Sequence, residues 1–588
     1  NGVEMLLVLK SLIILLSTKI AVKYWMVPDS TLLYWGIVII LIYSWSHIDF
    51  GKEVNRIGML FGAALLSISV FSSYLVKENF ILDKGFAIEM IGFAFLFWFS
   101  WIVINSFCLL FKWISGSKFL QSIDITKTGV VGERRNFLCY YIFILLMWLP
   151  YFLTWYPGVI FADSANSIYQ ALGIQQWSNH FPVVYTLLIK ACIQIGIIFR
   201  DLNIGYAIYT LLQMIIMAGV LAYVVCWLRH KGFSLLAVCC CLYYAFDPCF
   251  PQHAIAMWKD GIFSAALLFL SLHLFDFVVS DGLLFRNKKY LASDIICCLI
   301  ICFFRNNGVY IVAFICMCLG LYMFFNRGNY RDKMKYILYH CGLIVFCFVV
   351  TSYVYGILGI DDDEVEKYGI LLQQISRTVV EEGNIDEEEY DFIDCLLPVE
   401  KFKQAYNPKS VDSIKWDKEF NNSFFEENLS DFFRVWLNLL LKNPKIYIKA
   451  YLEMTNQFWV PNSWDDNENR INIIMGNIEA PVVNPQWEHA EVQYKNLLAN
   501  DLIDFQQIFS ITTPMIAVGL LVWFMILTLL YAINRKSSLI LSLSPCAGVL
   551  ITLLVATPVS YWPRYMLIAY LMLPLVLGMI PMIGKRIN

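Results

Sequence analysis

The sequence is dominated by apolar segments long enough to approach or cross a lipid bilayer. A helix needs about 20 apolar residues to cross one, and only helices or closed barrels satisfy their backbone polar groups inside lipid. We therefore predict an all-α polytopic membrane protein. The candidate segments are 5–27, 31–47, 57–76, 87–113, 136–156, 181–199, 203–228, 233–249, 261–280, 291–304, 309–326, 335–358, 508–533, 537–557 and 566–584.

Composition supports the same class. Of the 588 residues, 59% are hydrophobic and 15% are charged, whereas soluble domains average about 45–50% and about 25%. These values exclude a water-soluble enzyme, a disordered chain, a nucleic-acid-binding protein and a disulfide-stapled secreted module. The 17 cysteines lie mostly in apolar runs, where cysteine behaves as a small hydrophobic residue. We expect membrane lipids, and no nucleic acid, among the partners.

Basic residues in the short loops give an orientation, because such loops are enriched in Lys and Arg on the cytoplasmic side. The clusters occupy 127–135, 229–231, 286–289, 327–335, 535–536 and 585–586.

Three apolar segments separate the clusters at Arg135 and Arg229, and an odd number of spans cannot return the chain to the same side. We interpret 181–199 as an interfacial or re-entrant helix on the outer face, because it follows His180 and carries Lys190 at its centre. The alternative is a true span from which Lys190 snorkels. The first interpretation predicts about 14 spans and two cytoplasmic termini.

An acidic insert interrupts the membrane segments. Residues 361–506 contain 29 Asp and Glu and 13 Lys and Arg, against 17 acids and 30 bases in the rest of the chain. We predict that the insert is extracytoplasmic, mainly helical and large enough to bury a small core. The predicted organisation is N-terminal membrane helices in 1–135, a catalytic membrane core in 136–358 with an outer loop at 157–202, an extracytoplasmic domain in 359–506, and C-terminal membrane helices in 507–588.

Several charges stand at the predicted outer ends of the membrane segments. Asp163 is the sole acid between Glu133 and Asp201. Lys259, Arg305 and Arg564 depart from the positive-inside rule on this face. Charges at membrane depth mark functional sites by default, and three cations on one face indicate a shared anionic ligand. Alternatively, each cation anchors a helix end at lipid headgroups, and Asp163 caps a helix.

A carboxylate beside cations at the lipid boundary suits the transfer of a sugar from a lipid phosphate. The cations stabilise the leaving phosphate as its charge develops. The carboxylate accepts the proton of the attacking hydroxyl group. In-line attack inverts the anomeric centre and needs no second carboxylate as nucleophile.

These residues resemble the GT-C superfamily of integral-membrane glycosyltransferases, which use polyprenyl-phosphate-linked sugars. The similarity covers about 136–358 and 508–584 and points to a bacterial branch. It departs from the paired acids of many members, because the first outer loop contains Asp163-Ser164-Ala165. The motifs that carry it are the run 155–185 with its segment His180-Phe181-Pro182-Val183-Val184-Tyr185, the second outer loop from Asp247-Pro248 to Asp260, Arg305-Asn306-Asn307-Gly308, and Trp562-Pro563-Arg564-Tyr565.

The resemblance implies roles for these residues. Asp163 would be the catalytic base, and donor phosphate would be bound by Lys259, Arg305, Arg564 and Tyr565. A single carboxylate is a poor site for a hard cation, so we expect no obligatory metal, with Asp163 and Asp260 as ligands if Mg²⁺ or Mn²⁺ binds. Further site candidates are Ser164, His180, Asp260, Asn306, Gln373 and Arg377.

The last two candidates belong to the insert. Gln373 and Arg377 are placed where a segment of the insert would fold back over the cleft. The alternative is that 370–380 forms an ordinary amphipathic helix.

The predicted function is an inverting glycosyltransferase at the outer face of a bacterial plasma membrane. It would move a monosaccharide from a polyprenyl-phosphate donor to a glycolipid or to a cell-surface or cell-wall glycan. The first alternative is a transporter or flippase of lipid-linked sugars, although we find no internal repeat of the kind common in transporters. The second is a non-catalytic assembly subunit whose insert binds proteins.

Overall fold

A computed structural model describes residues 2–585 with internal gaps. Trp562 of the last outer motif, and Arg327 and Arg586 of the basic clusters, lie outside the described residues. Within the described part no strand forms, and pairing outside the helices is limited to isolated bridges. The gaps are 26–30, 47–55, 81–84, 118–122, 131–132, 327, 361–363, 462–493, 501, 511–515, 561–562 and 584.

Fifteen helices of very different length form in the described part of residues 2–357. The first four are α1 (Gly2–Trp25), α2 (Thr31–Ser46), α3 (Arg56–Lys77) and α4 (Phe86–Gly116). The next eleven are α5 (Arg134–Thr154), α6 (Ala162–Ala171), α7 (Val183–Ile198), α8 (Leu202–His230), α9 (Ser234–Phe246), α10 (Cys249–Ile255), α11 (Lys259–Val279), α12 (Lys288–Phe304), α13 (Gly308–Phe325), α14 (Tyr330–Val349) and α15 (Tyr355–Ile357), with a 3₁₀ turn at Leu283–Arg286 and a π-helical turn at Val350–Val354.

The insert and the C-terminal region are also helical. The insert contains a 3₁₀ turn at Glu364–Tyr368, α16 (Gly369–Val380), α17 (Glu387–Leu396), α18 (Val399–Ala405), α19 (Asp412–Lys415), α20 (Asn422–Glu427), α21 (Leu429–Lys442) and α22 (Pro444–Trp459). The chain then forms α23 (Phe505–Ser510), α24 (Val518–Asn534), a 3₁₀ turn at Ser538–Leu543, α25 (Ser544–Ala556), a 3₁₀ turn at Pro563–Met566 and α26 (Leu567–Ile583).

Nine helices in the described part are long and apolar enough to cross a membrane, so the chain is a multi-pass, all-α membrane protein. The pair α9 and α10, bent by 51°, gives a tenth if it forms one broken span. Helix α7 has 16 residues, about 24 Å at 1.5 Å per residue, which is less than the roughly 30 Å of a hydrocarbon core. The nine are Ile57–Lys77, Phe86–Gly116, Arg134–Thr154, Leu202–His230, Lys259–Val279, Gly308–Phe325, Tyr330–Ile357, Ser538–Ala556 and Arg564–Ile583.

Helix α11 lies at the centre of the membrane body. It packs against α8, α12, α26 and the turn Ser538–Leu543. Because its surface is apolar on all sides, it is stable as a helix enclosed by other helices. Its polar side chains Asp260, His273 and Asp276 are nevertheless buried, and each therefore needs a partner inside the protein.

The insert has an apolar core of its own, built from residues between Val365 and Tyr447 and separate from the core of the membrane body. Helix α22 fixes it to the membrane helices. The carbonyl oxygen of Trp459 accepts hydrogen bonds from Ser69 at 3.1 Å and from Trp523 at 2.8 Å. These bonds attach the insert to α3 and α24.

Candidate functional site

The start of α6 and the start of α11 are held side by side by a short backbone bridge. The amide of Val159 donates to the carbonyl of Ile255 at 2.9 Å, and the amide of Met257 donates to the carbonyl of Val159 at 2.8 Å. Gly158, with φ +120°, allows the approach, since a Cβ there would lie 2.2 Å from the hydroxyl oxygen of Thr210. Two helix N-termini are thereby brought together.

Asp163 lies in the first turn of α6 but does not cap it. The N-cap residue is Phe161, whose amide donates to the hydroxyl of Ser164 at 3.1 Å. The interpretation of Asp163 as the cap is therefore wrong. Its carboxylate instead lies 3.7 Å from Nζ of Lys259 and 3.3 Å from a guanidinium nitrogen of Arg564.

A second carboxylate completes the arrangement. Asp260 accepts a hydrogen bond from Arg305 at 2.6 Å, and its other oxygen lies 4.0 Å from Arg564. Arg564 therefore contacts both acids. We call these five side chains the charged cluster, which contains Asp163, Lys259, Asp260, Arg305 and Arg564.

The charged cluster is closed on one side and accessible on the other. The side chains of Asp260 and Arg564 are 1% and 4% exposed, whereas that of Asp163 is 28% exposed. Three cations face two carboxylates, so the cluster carries a net positive charge. The first turns of α6 and α11 add the partial positive charge of two helix N-termini. The arrangement is suited to an anion that enters beside Asp163.

The same geometry does not suit a hard metal ion. A divalent cation at Asp163 or Asp260 would face Lys259, Arg305 and Arg564, which already contact those carboxylates. Mg²⁺ and Mn²⁺ need oxygen ligands without competing cations.

Aromatic rings hold the two guanidinium groups in place. The ring of Trp258 stacks on Phe161 at 4.1 Å, and the guanidinium carbon of Arg564 lies 4.6 Å from the Trp258 ring. Arg305 lies 4.9 Å from the ring of Tyr565. Cation–π contacts of this kind are worth about 0.5–2 kcal/mol. Tyr565 therefore orients Arg305 within the charged cluster.

Arg305 is positioned by a tight turn between α12 and α13. A Cβ on Gly308 would lie 1.8 Å from the carbonyl oxygen of Ile301, so this position requires glycine. The side-chain amide of Asn306 donates to the carbonyl of Asn179 at 2.8 Å. Asn306 thus joins this turn to the loop after α6 and lies outside the charged cluster.

His180 connects the charged cluster to the insert. Its Nδ1 lies 3.6 Å from Glu366, its ring lies 4.9 Å from that of Trp416, and Lys415 pairs with Glu366 at 2.7 Å. Burial lowers the pKa of His180 to about 4, although the Glu366 carboxylate opposes the shift. The imidazole is therefore neutral at pH 7.

The insert also fixes the segment that carries Arg564. The amide of Val411 donates to the carbonyl of Pro558 at 3.1 Å, and the amide of Ser560 donates to the carbonyl of Lys409 at 2.9 Å. These bonds lie a few residues before Arg564. The insert therefore helps to place this cation.

The prediction that Gln373 and Arg377 face the cleft is wrong. Gln373 donates to the carbonyl of Asn407 at 2.6 Å, and Arg377 pairs with Glu453 and, at 2.8 Å, with Glu381. A buried guanidinium needs carboxylate partners, and Arg377 finds them inside the insert. The alternative, an ordinary amphipathic helix, is correct.

Glu366 and Trp416 of the insert contact His180, Lys415 pairs with Glu366, and the sequence pattern did not mark these three side chains. No motif marks them. Trp416 follows Lys415 directly, but contact with His180 arises from packing between segments far apart in the chain.

Arg564 and Lys259 have the largest effect on the protonation of Asp163. Burial raises the pKa of this carboxyl group, but Arg564 and Lys259, with further contributions from His180 and Arg305, hold the pKa well below its usual range. Asp163 is therefore ionised at neutral pH. It is a weak proton acceptor while both cations remain in contact with it.

Fold and site together define a multi-pass α-helical membrane protein with a cationic site beside its insert. The chain belongs to a family of unknown function, DUF6020, whose model matches residues 173–582. The match includes Lys259, Arg305 and Arg564, whereas Asp163 precedes it. Comparisons with curated proteins and with solved structures find no match.

Proposed function

We propose that this protein is an inverting glycosyltransferase that moves a monosaccharide from a polyprenyl-phosphate donor to a surface or cell-wall glycan or a glycolipid. One observation carries the proposal. Asp163, the most exposed acid of the charged cluster, lies within 3.7 Å of two cations suited to a phosphate. The site thus combines a proton acceptor with groups that stabilise a phosphate leaving group.

In this proposal the donor phosphate replaces the carboxylates as partner of the cations. Lys259 and Arg564 shift from Asp163 to the phosphate oxygens, and Arg305 supports them from Asp260. Loss of these contacts raises the pKa of Asp163 toward its ordinary value, because the cations are what lower it. Donor binding would thereby convert a weak base into a competent one.

The proposed reaction is a single displacement. The acceptor oxygen attacks C1 of the sugar, the C1–O bond to the phosphate breaks, and the polyprenyl phosphate leaves with the bonding electrons. Asp163 takes the proton of the acceptor hydroxyl group. The configuration at C1 is inverted, since no glycosyl-enzyme intermediate forms. Positioned bases of this type contribute about 10²–10⁴-fold.

We further propose a GT-C-like arrangement in a bacterial plasma membrane. It has 14 spans, with α7 lying at the outer surface, both termini in the cytoplasm, and the insert and charged cluster outside. The short length of α7 supports this, as does the placement of Nζ of Lys190 5.4 Å from the ring of Trp177 in the preceding loop.

A transporter of lipid-linked sugars is the second candidate, because the same cations would bind a phosphate in transit. The bent pair α9–α10 favours it, since broken helices are common at transporter sites. Asp163 distinguishes the two candidates. A transporter that is not coupled to protons needs no proton acceptor and would keep its flux with asparagine at this position.

The test is a comparison of surface glycans by mass spectrometry in a deletion strain that expresses either the wild type or Asp163→Asn. We expect one monosaccharide to be lost on deletion, restored by the wild type and reduced at least about a hundredfold in the variant. A lipid-linked form of the same sugar should accumulate. Unchanged glycans in the deletion strain, or full restoration by the variant, would contradict the proposal.

Asp201→Asn is the matched control. Asp201 is another acid of the same outer region and caps α8 by accepting from the amide of Asn203 at 2.9 Å. Asparagine is an equally good N-cap residue, so this variant should restore the glycans fully. The pair of variants separates loss of the base from any general effect of an Asp-to-Asn change.

A further inference from the structure

A second group of polar side chains lies inside the membrane body, far along α11 from the charged cluster. Nδ1 of His273 lies 3.2 Å from one carboxylate oxygen of Asp294, and Nε2 of His340 lies 3.1 Å from the other. The hydroxyl of Tyr336 donates to the first oxygen at 2.9 Å. One ligand atom from each of Asp294, Cys298 and His340 lies within 4.8 Å of the others. We call these five residues the histidine cluster.

Hydrogen bonding around His340 leaves its second ring nitrogen facing a carboxylate. Its Nδ1 lies 2.9 Å from the carbonyl oxygen of Tyr336. A carbonyl only accepts, so Nδ1 carries the hydrogen, and in a neutral ring Nε2 presents a lone pair. That lone pair faces the carboxylate of Asp294. Two acceptors so close repel each other unless a cation or an added proton lies between them.

His273 occupies the other oxygen of Asp294. Its Nδ1 donates to that oxygen at 3.2 Å, because a buried carboxylate is a stronger acceptor than the hydroxyl of Ser293, which lies 3.5 Å from Nε2. The carboxylate is thereby held in place, and its second oxygen faces the lone pair of His340.

We propose that the histidine cluster binds a divalent transition metal ion of the zinc type. The ligands would be Nε2 of His340, one carboxylate oxygen of Asp294 and the thiolate of Cys298, whose ligand atoms lie within 4.8 Å of one another. Bonds of about 2.0–2.1 Å to nitrogen and oxygen place tetrahedral neighbours about 3.3 Å apart, close to the 3.1 Å between Nε2 of His340 and Asp294. Imidazole, carboxylate and thiolate together favour such a metal over Mg²⁺ or Ca²⁺.

Charge balance is compatible with a metal ion. A dication with the Asp294 carboxylate and the Cys298 thiolate is neutral overall, and the thiol proton is released to solvent on binding. A proton on Nε2 of His340 would also neutralise Asp294 but would give Cys298 no role, so the two readings differ in what Cys298 does. The side chains of His273, Asp294 and His340 are at most 3% exposed, where an uncompensated charge is costly.

The surroundings of the ligands favour a structural role. The side chains of Asp294 and His340 are at most 3% exposed, so the site is closed to a substrate, whereas catalytic zinc keeps an accessible open position. The carbonyl of Tyr336 orients His340, and His273 holds the second oxygen of Asp294, as outer-shell partners do around metals. The metal would join α12 to α14, with α11 attached through His273.

Metal content tests the proposal. The full chain, purified in detergent without a polyhistidine tag, is dialysed and measured by inductively coupled plasma mass spectrometry. We expect about one zinc per chain, lost in Cys298→Ser and in His340→Gln. Zinc retained by both variants, or a wild type that holds no metal and takes up none when incubated with Zn²⁺, would overturn the proposal in favour of protonated histidines.

Cys546→Ser is the matched control, because Cys546 is also a buried cysteine but lies on α25. It should retain the metal. A cobalt-loaded wild type supplies a second readout that does not depend on a variant's folding. Tetrahedral visible bands and a thiolate-to-cobalt charge-transfer band are expected, and a six-coordinate spectrum without the charge-transfer band would contradict the ligand set.

Discussion

Helix α11 contributes residues to both the charged cluster and the histidine cluster, and the buried charges of the two clusters are compensated in different ways. Helix α11 contributes Lys259 and Asp260 at its start and His273 fourteen residues later, about 20 Å along the axis. In the charged cluster, acids and bases of the chain neutralise most of each other's charge. In the histidine cluster, Nε2 of His340 faces an oxygen of the Asp294 carboxylate. One cluster pairs its charges within the protein, and the other is the site proposed to bind a metal ion.

Accessibility follows the same division. Asp163 is partly exposed, so the ion pairs around it are open to exchange with an incoming anion. Asp294 is fully buried and accepts a hydrogen bond from Tyr336. A metal ion bound to it would therefore exchange slowly with solvent. Charges near solvent thus favour a site with turnover, whereas a closed set of ligands favours a structural one.

The proposed topology puts the two clusters toward opposite faces of the membrane, which gives an all-or-none prediction. Cys395 is an exposed cysteine of the insert. A membrane-impermeant thiol reagent applied to intact cells should label it. Lys333, near the histidine cluster, is predicted to be cytoplasmic but is buried, so the exposed Lys335 is the better position for a reporter.

The control is built into the chain. Because Cys139, Cys239 and Cys341 are also exposed, labelling is read at each residue by peptide mass spectrometry. Cys395→Ser should abolish the signal from the insert in intact cells, and Lys335→Cys in that background should become labelled only after permeabilisation. Labelling of residue 335 in intact cells would invert the orientation and remove the charged cluster from the outer face.

A second prediction concerns the loss of stability when one partner of a buried ion pair in the charged cluster is removed. Arg305→Gln leaves the buried Asp260 with Arg564 at 4.0 Å as its remaining cation. Breaking a buried pair on one side costs about 3–5 kcal/mol. We expect a loss of this size in the free energy of unfolding, measured by denaturant titration in detergent.

Replacing both partners supplies the control. The double variant Arg305→Gln with Asp260→Asn leaves no uncompensated charge at this pair and should recover most of the lost free energy. If both variants are equally unstable, Arg305 acts through packing on Tyr565 and Phe263 and not through its charge.

The sequence was sufficient to predict the class of fold and the members of the charged cluster, for physical reasons. Apolar length determines membrane helices. Lys259, Arg305 and Arg564 were conspicuous because cations are rare in outer loops. Asp163 was conspicuous as a single acid in a long stretch of chain. Each of these inferences depends on where the residue stands in the sequence relative to the membrane segments. None requires knowing which residues it contacts.

Contacts between distant segments were not predictable. Arg377 was expected at the cleft, but its partner Glu453 draws it into the insert. Asp294 and Cys298 are four residues apart, as are Tyr336 and His340, so each pair shares a helix face. That those faces meet each other and His273 depends on how α11, α12 and α14 pack, which no local pattern determines.

The third prediction concerns the proposed exchange of the ion pairs around Asp163 for contacts to a phosphate. Lys259→Gln removes a cation that contacts Asp163 at 3.7 Å and leaves the pair of Asp260 and Arg305 intact. Charge-assisted contacts contribute about 1.5–3 kcal/mol. Affinity for a polyprenyl monophosphate, measured by native mass spectrometry, should fall about ten- to a hundredfold.

Lys288→Gln is the control for charge alone, since Lys288 is an exposed lysine at the other end of α12. Its affinity for the polyprenyl monophosphate should match that of the wild type. Equal loss in both variants would indicate a general electrostatic effect, and no loss in either would contradict a phosphate site at the charged cluster.

The smallest expected effect lies where the insert meets the charged cluster. His180 has its pKa lowered from the ordinary 6.5 to about 4, mainly by burial. The unfolded chain therefore binds a proton between about pH 6.5 and pH 4 that the folded chain does not, so stability falls on acidification through this range and is constant below it. With the side chain 19% exposed, we expect a loss of roughly 1–2 kcal/mol in the free energy of unfolding.

Thermal unfolding in detergent at about pH 7 and about pH 4.5 should show a smaller acid shift for His180→Gln than for the wild type. Equal shifts would mean that His180 titrates normally and is more open to water than its contacts with Glu366 and Trp416 imply.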